Sequence, residues 1–207
     1  MIHEIVAVGP LQCNCHILAD KAAKEAVIVD PVDDAARILK LVEGYKVRAL
    51  LHTHCHFDHM TGTRKVAEAT GADILIHKAD KAYYDSLAGQ YRMFGMPRDV
   101  DDPLPVKRFL KDGDRIDFGK YALTVIHTPG HTQGSCCFHA EGLVLSGDTL
   151  FRRSIGRSDL PGGNSEEELE SIRKRLFTLD PETVVFPGHG PETRIGEERA
   201  ENPFLSR

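Results

Sequence analysis

Eight consecutive residues, His52-Thr53-His54-Cys55-His56-Phe57-Asp58-His59, concentrate side chains that can hold a metal. Within them His54, His56, Asp58 and His59 spell His-x-His-x-Asp-His. Neutral imidazole and carboxylate together suit zinc, iron or manganese. A lone histidine is more often a core or surface residue than a ligand. Four potential ligands within six residues resist that explanation, because burying them without a metal leaves many polar atoms in need of partners.

The apolar run 47–51 leads directly into this stretch and reads as a buried strand. Side chains alternate along extended chain, so His54 and His56 project to one side and Cys55 to the other. A turn after them brings Asp58 and His59 back toward the same point. Three further candidates stand alone. His131 lies in Thr-Pro-Gly-His-Thr, Asp148 in Gly-Asp-Thr, and His189 in Pro-Gly-His-Gly-Pro, each just past an expected strand end. That placement suits a site at one rim of packed sheets.

Seven ligands exceed the roughly three that a catalytic zinc takes from protein. They suit two ions, with His54, His56 and His131 on one, Asp58, His59 and His189 on the other, and Asp148 left to bridge. Two cations about 3.5–4 Å apart form a hydrolytic clamp. With two carboxylates and a hydroxide the formal charge is positive, which favours an anionic or polarisable substrate. His3, His16, His52, His77, His127 and His139 are left as structural or supporting residues, with His52 the first choice for supporting a ligand.

The elements that must position these residues follow from apolar periodicity. Short strands are expected at 5–8, 15–18 and 26–29, then a helix through Ala35, Ile38, Leu39 and Val42. After the metal stretch come a helix over 61–70 ended by Gly71, a strand at 73–76 and a helix over 78–87. Residues 88–111, with two glycines and three prolines, read as an irregular loop or lid. Two hairpins follow, at 115–127 and 135–146. Ser165 and Glu168 form a capping box for a helix bearing Leu169, Ile172 and Leu176, and a last strand covers 183–186.

The 207 residues suit one domain, 1–207. A net charge of −5 with no basic run disfavours nucleic acid and anionic membrane as partners, and no apolar run is long enough to span a bilayer. Five cysteines, Cys13, Cys15, Cys55, Cys136 and Cys137, with no export signal, point to reduced thiols and a cytoplasmic setting. Cys136 and Cys137 are adjacent on an expected strand and should face opposite sides.

Taken in order, His-x-His-x-Asp-His, Thr-Pro-Gly-His-Thr-x-Gly-Ser, Gly-Asp-Thr and Pro-Gly-His-Gly resemble the motifs of the metallo-β-lactamase-fold superfamily. The resemblance spans residues 54–189. It implies an α/β fold, a four-layer αβ/βα sandwich of two mixed sheets flanked by helices, with the ligand division above and Asp148 as the bridge. It also implies two divalent metal ions per chain, zinc first, with iron or manganese as alternatives.

Residues 147–151 and 154–163, with Gly-His-Gly-Pro-Glu-Thr at 188–193, look most like the short glyoxalase II-like hydrolases. The activity this implies is hydrolysis of a small-molecule thioester, S-D-lactoylglutathione giving D-lactate and glutathione, with a hydroxide between the metals as nucleophile and Asp58 orienting it. Arg157 lies where the family places a basic residue near substrate. Full-length members carry a C-terminal helical region that supplies much of the glutathione site, and only 18 residues follow His189 here. The acyl group and its thiol carrier are therefore left open.

Persulfide dioxygenases share the fold and a similar Gly-Arg-(Ser/Thr)-Asp segment, matched at 156–159. They use one iron, on residues matching His56, His131 and Asp148, which would idle the other candidates. Lactone hydrolysis is a further alternative within the same fold. A structural zinc module is disfavoured, since such sites are closed and cysteine-rich and none of the seven candidates is a cysteine.

Overall fold

Alternating apolar residues in short runs, each stopped by Asp, Gly or Pro, give a chain dominated by strands. The computed structural model describes residues 1–96 and 100–205. Six strands form a first sheet in spatial order: β1 (Ile2–Val8), β2 (Cys13–Asp20), β3 (Glu25–Val29), β4 (Lys46–Leu51), β5 (Asp73–His77) and β6 (Arg108–Leu110). The first three are antiparallel, and β3 to β6 run parallel. Parallel neighbours require crossovers. These carry α1 (Ala35–Leu41), then α2 (Phe57–Met60) with α3 (Thr63–Thr70), then α4 (Lys81–Asp85) with α5 (Leu87–Met93).

The second sheet contains β7 (Arg115–Phe118), β8 (Tyr121–His127), β9 (Cys136–Ala140) and β10 (Leu143–Gly147). A small hairpin of β11 (Leu150–Phe151) and β12 (Ser154–Ile155) follows. After α6 (Ser165–Ser171), which continues as a π-helical segment Ile172–Leu176, the chain adds β13 (Val184–Pro187), β14 (Thr193–Arg194) and α7 (Ile195–Glu201). The spatial order is β14-β13-β10-β9-β8-β7, antiparallel except for the parallel β10–β13 pair.

Period-two alternation sorts each strand between two cores. Val27 and Val29 face the second sheet and pack with Phe118, Val125 and Phe138, while Ile28 between them joins Ile38 and Val66 on the helical side. Cys136 packs between the sheets, and Cys137 faces Ile172 and Ile195 outside, as adjacent strand positions must. The result is the expected αβ/βα sandwich. No helix among the described residues is long and apolar enough to cross a membrane.

Three local expectations are corrected. Residues 88–111 are not wholly irregular: most of α5 and all of β6 fall within them, and 97–99 lie outside the described residues. Here Tyr91 packs on Phe57 at 4.7 Å between ring centroids, and tertiary contact overrides the weak local pattern. The helix expected over 61–70 is α3, which ends at Gly71 as expected but begins at Thr63, after the separate turn α2. The N-cap of α6 is Asn164 rather than Ser165, with its side chain accepting from the N–H groups of Glu166 and Glu167. Asn164 is held in place by its own N–H, which donates to the Gly130 carbonyl at 2.8 Å. Glu168 then turns inward and is fully buried.

Candidate metal centre

The parallel strands β3 and β4 end level with one another, Val29 beside Leu51, and β5 runs two residues further past Leu75, which pairs with Leu51. In open α/β sheets the carboxyl ends of such strands form the usual crevice for a site. Chain leaving β4 there is held by buried side chains at every second residue. Asp30 accepts from the Thr53 N–H at 2.8 Å, Asp80 from the Cys55 N–H at 2.9 Å, and Gln90 Oε1 from the Phe57 N–H at 3.0 Å. The stretch thus stays extended up to His56 (φ −69°, ψ 150°), and His54 and His56 converge. The single turn of α2 then swings Asp58 and His59 back.

The second sheet supplies the other three. His131 sits in the loop from β8 to β9. Because β10 and β13 are parallel, their ends adjoin, and the Gly188 N–H donates to the Gly147 carbonyl at 2.8 Å. Asp148 and His189 follow those ends and so arrive together. A Cβ on Gly188 would stand 2.3 Å from Asp148 Oδ1 and 2.6 Å from His59 Cε1, so only glycine lets the two sheets approach here.

All seven candidates meet. His56 Nδ1 and His54 Nε2 lie 3.0 and 3.1 Å from His131 Nε2. His189 Nε2 lies 3.3 Å from His59 Nε2 and 3.2 Å from Asp58 Oδ2, with Asp58 Oδ2 3.9 Å from His59 Nε2. Asp148 stands between the groups, its Oδ1 3.3 Å from His59 Nε2 and its Oδ2 3.8 Å from both His131 and His189 Nε2. Ligand bonds of 2.0–2.1 Å in a tetrahedron place neighbouring donor atoms roughly 3.3–3.4 Å apart. The observed separations fall around that value.

The donor chemistry fits a cation as well. His131 Nδ1 and His189 Nδ1 face the Arg157 and Leu11 carbonyls at 2.7 and 2.9 Å. A carbonyl only accepts, so both Nδ1 atoms carry a proton, and in the neutral ring each Nε2 presents its lone pair to the cluster. His59 Nδ1 likewise donates to Asp30 Oδ2 at 2.9 Å. Carbonyl or carboxylate behind a ligating imidazole fixes its tautomer and orientation. Asp148 Oδ1 is buried and faces His59 Nε2 at 3.3 Å, as a carboxylate sharing a cation with that imidazole would.

Burial pushes the His54 imidazole well below its ordinary value, and the neighbouring His59 and His131 push the same way. Burial, then His131, lower His56 to about 3. At His59 burial also opposes the cation, but the carboxylates of Asp148, Asp30 and Asp58 outweigh it and raise the group well above the ordinary range. Asp148 is held low because His59 overcomes the cost of burial. Behind the site, Glu168 is pushed up to about 8 by burial and by Asp148, against the opposing pull of the Gly156 backbone N–H.

Cys13 Sγ also approaches, 3.5 Å from His59. It meets the outer nitrogen, Nδ1, rather than the one facing the cluster, and burial pushes its thiol up to about 12. It stays a thiol and belongs to the wall. His52 is outside the cluster, 3.9 Å from Asp30, and supports the residue that supports His59. Asp30, Asp80 and Gln90 were not singled out by sequence. A signal existed only for Asp30, a carboxylate ending the strand before the histidine-rich one.

A cavity of about 420 Å³ opens over Asp58, His131 and Asp148. Arg157 lies on its wall, with Nε and Nη2 donating to Asp159 at 2.8 and 2.9 Å.

Residues 8–189 match the family model of the metallo-beta-lactamase superfamily, and the chain belongs to that family. Among curated proteins it is 35% identical to the hydroxyacylglutathione hydrolase GloC of Haemophilus influenzae, over 98% of this chain and 97% of that one. Among solved structures it superposes on the BLEG-1 B3 metallo-beta-lactamase with a TM-score of 0.91 at 34% identity, covering the whole of both chains. It superposes on TTHA1623 in a di-iron-bound form with a TM-score of 0.87 at 39% identity, over 98% of this chain and all of that one. The protein is thus a metal-binding hydrolase of this superfamily.

Proposed function

We propose that the chain, as one domain over 1–207, is a glyoxalase II-like hydrolase of small acyl thioesters working with two divalent metal ions. The convergence of seven ligands carries the reading. His54, His56 and His131 would hold one ion, Asp58, His59 and His189 the other, and Asp148 both. Five imidazoles with two carboxylates suit zinc first, with iron and manganese as alternatives. The di-iron relative and the hydroxyacylglutathione hydrolase relative support the ion count and the substrate class. One iron on His56, His131 and Asp148, as in a persulfide dioxygenase, would leave the close Asp58–His59–His189 group without a use.

When bound, such ions acidify water and polarise a carbonyl. The chain's own residues do the rest. Asp58 and Asp148 line the cavity floor, and Asp58 orients the attacking water by accepting its hydrogen bond. The apolar walls exclude bulk water from the carbonyl. A thiolate leaves without a general acid, because a thiol of pKa about 8.5 is a good leaving group. Arg157, at the rim, contacts the substrate. Five buried free cysteines suit a reducing, cytoplasmic setting.

The test is the rate of S-D-lactoylglutathione hydrolysis by metal-replete protein whose metal is counted. Turnover that disappears in Asp58→Ala is the expected result. Two metals without turnover would move the substrate to another thioester or a lactone. A single iron per chain would replace the hydrolase with the dioxygenase.

A further inference from the structure

The cavity over the cluster has a second character besides its metal-binding floor. Its walls are Leu11, Phe57, Phe94, Met96, Phe151 and Leu160. They are fixed to the site rather than draped over it. Phe57 opens α2, which carries Asp58 and His59, and its ring packs on Phe94 at 5.2 Å. The Leu11 carbonyl accepts from His189 Nδ1, so the position of Leu11 is tied to a ligand. Leu11 and Met96 nevertheless leave 50% and 37% of their surface open to water. Apolar surface held open at the mouth of a cavity gains from being covered by an apolar group.

Charge points the same way. Among the described residues Arg157 is the one cation on the cavity wall, and Asp159 already engages it through two hydrogen bonds. Glutathione carries two carboxylates and one ammonium. One solvent-screened guanidinium, already engaged by Asp159, gives such a carrier little to bind.

We propose that this cavity selects the acyl half of the substrate and that the acyl group is apolar, so that thioesters of uncharged apolar acids of about phenylacetyl size are preferred. The inference rests on the thioesterase reading above and names its substrate class. The reaction balances simply. The oxygen of water bonds to the acyl carbon, the C–S bond breaks, and sulfur leaves with its electron pair. The products are a carboxylate, a thiol and one released proton.

Four substrates test the proposal on the metal-loaded full chain: D-lactoyl and phenylacetyl groups, each on glutathione and on neutral N-acetylcysteamine. On both carriers kcat/KM for phenylacetyl is expected to exceed that for D-lactoyl by about tenfold or more, the scale of burying one aromatic ring. Exchanging the carrier should change either value by less than about threefold. Leu11→Asn and Met96→Gln should each shrink the acyl preference by about threefold or more. A D-lactoyl thioester turned over as fast as the phenylacetyl one, or a carrier effect larger than the acyl effect, overturns the proposal and leaves the thioesterase standing.

If no thioester is hydrolysed, the thioesterase reading fails, and binding still decides the pocket. Calorimetry with phenylacetate and D-lactate should show phenylacetate binding about tenfold more tightly. Equal affinities would overturn the proposal by that route.

Discussion

The His54–His56–His131 corner of the cluster and the Asp58–His59–His189 corner use similar side chains but are held in opposite electrostatic states. The first has imidazoles alone. Its backing is neutral, with the Thr53 hydroxyl 3.2 Å from His54 Nδ1 and the Arg157 carbonyl behind His131. His54 and His56 are pushed toward the uncharged form. The second corner contains a carboxylate and has another, Asp30, buried behind His59. Its histidines are pushed toward the charged form, His189 because its bond to Asp58 and the charge of Asp148 outweigh burial. Without metal, the second corner is an internal ion-pair network. The first is a set of converging imidazole nitrogens with no carboxylate among them. The two proposed ion positions are therefore unequal: one is a neutral chelate, the other a charged site in which a cation displaces protons.

Asp148 is the one residue shared by both corners, so its loss should have the largest effect. Asp148→Ala is expected to lose both ions and to lower kcat/KM by about a thousandfold or more. Metal counting beside the kinetics checks this, and a variant that keeps two ions would break the two-ion account. Asp30→Asn should separate the corners. Asp30 meets the second corner's His59 directly and reaches the first only through Thr53, so the second ion should weaken by about 10–100-fold and the other much less. Titration with a chelator competing for both ions would show one loosened step. Equal weakening of both would show that the corners act as one unit. A thermal melt run alongside separates lost metal from lost fold, since Asp30 also accepts from Thr53.

The same comparison explains what the sequence made legible. Four of the seven cluster residues come from one strand end and one helical turn, so alternation and spacing sufficed to group them. His131, Asp148 and His189 could be marked as strand-end residues. Their meeting depends on the parallel β10–β13 pair and on two sheets packing face to face, which is long-range. The layered fold followed from strand and helix periods together with the motif resemblance. Asp80 and Gln90 left no trace, because their work is to accept or donate to backbone groups of the loop across 25 and 35 residues of chain. The 88–111 stretch misled for a related reason: Gly89 weakens the helical pattern, and Gln90 and Tyr91 hold their helix from the tertiary side. At α6 the capping residue was displaced by one position, since a bond from Asn164 to the Gly130 carbonyl decides where the helix begins.

Arg157 tests how far the cluster's charge reaches into the cavity. Its carbonyl holds His131, while its side chain points to Asp159. Arg157→Ala keeps the carbonyl, so both ions should remain. KM for S-D-lactoylglutathione should rise only a few-fold, because the guanidinium is exposed to solvent and already hydrogen-bonded to Asp159. Unchanged kinetics would reduce Arg157 to a brace for its loop. A loss of the first-corner ion would show that the Arg157–Asp159 pair positions the carbonyl behind His131.

The smallest effect concerns two histidines that lie close and form no ligand set. His77 and His127 stack face to face at 4.0 Å and 20°. His54, His56 and His131 instead meet edge-on at 83–90°, with nitrogens converging. The stacked pair joins the end of β5 to the end of β8 by ring contact, and burial, then His127, lower His77 to about 4. An unfolded histidine titrates near 6.5. Between about pH 4 and 6.5 the unfolded chain thus binds more protons at this position than the folded one, and stability falls as pH drops through that window. His77 is partly exposed, so solvent screening keeps the effect small. His77→Phe keeps a stacking ring and removes the titration. Its melting temperature should fall less than the wild type's between pH 6.5 and pH 4, by a few degrees, and should match it in slope above pH 7. An unchanged acid slope would mean that the stacked pair, unlike the first corner of the cluster, carries no electrostatic strain.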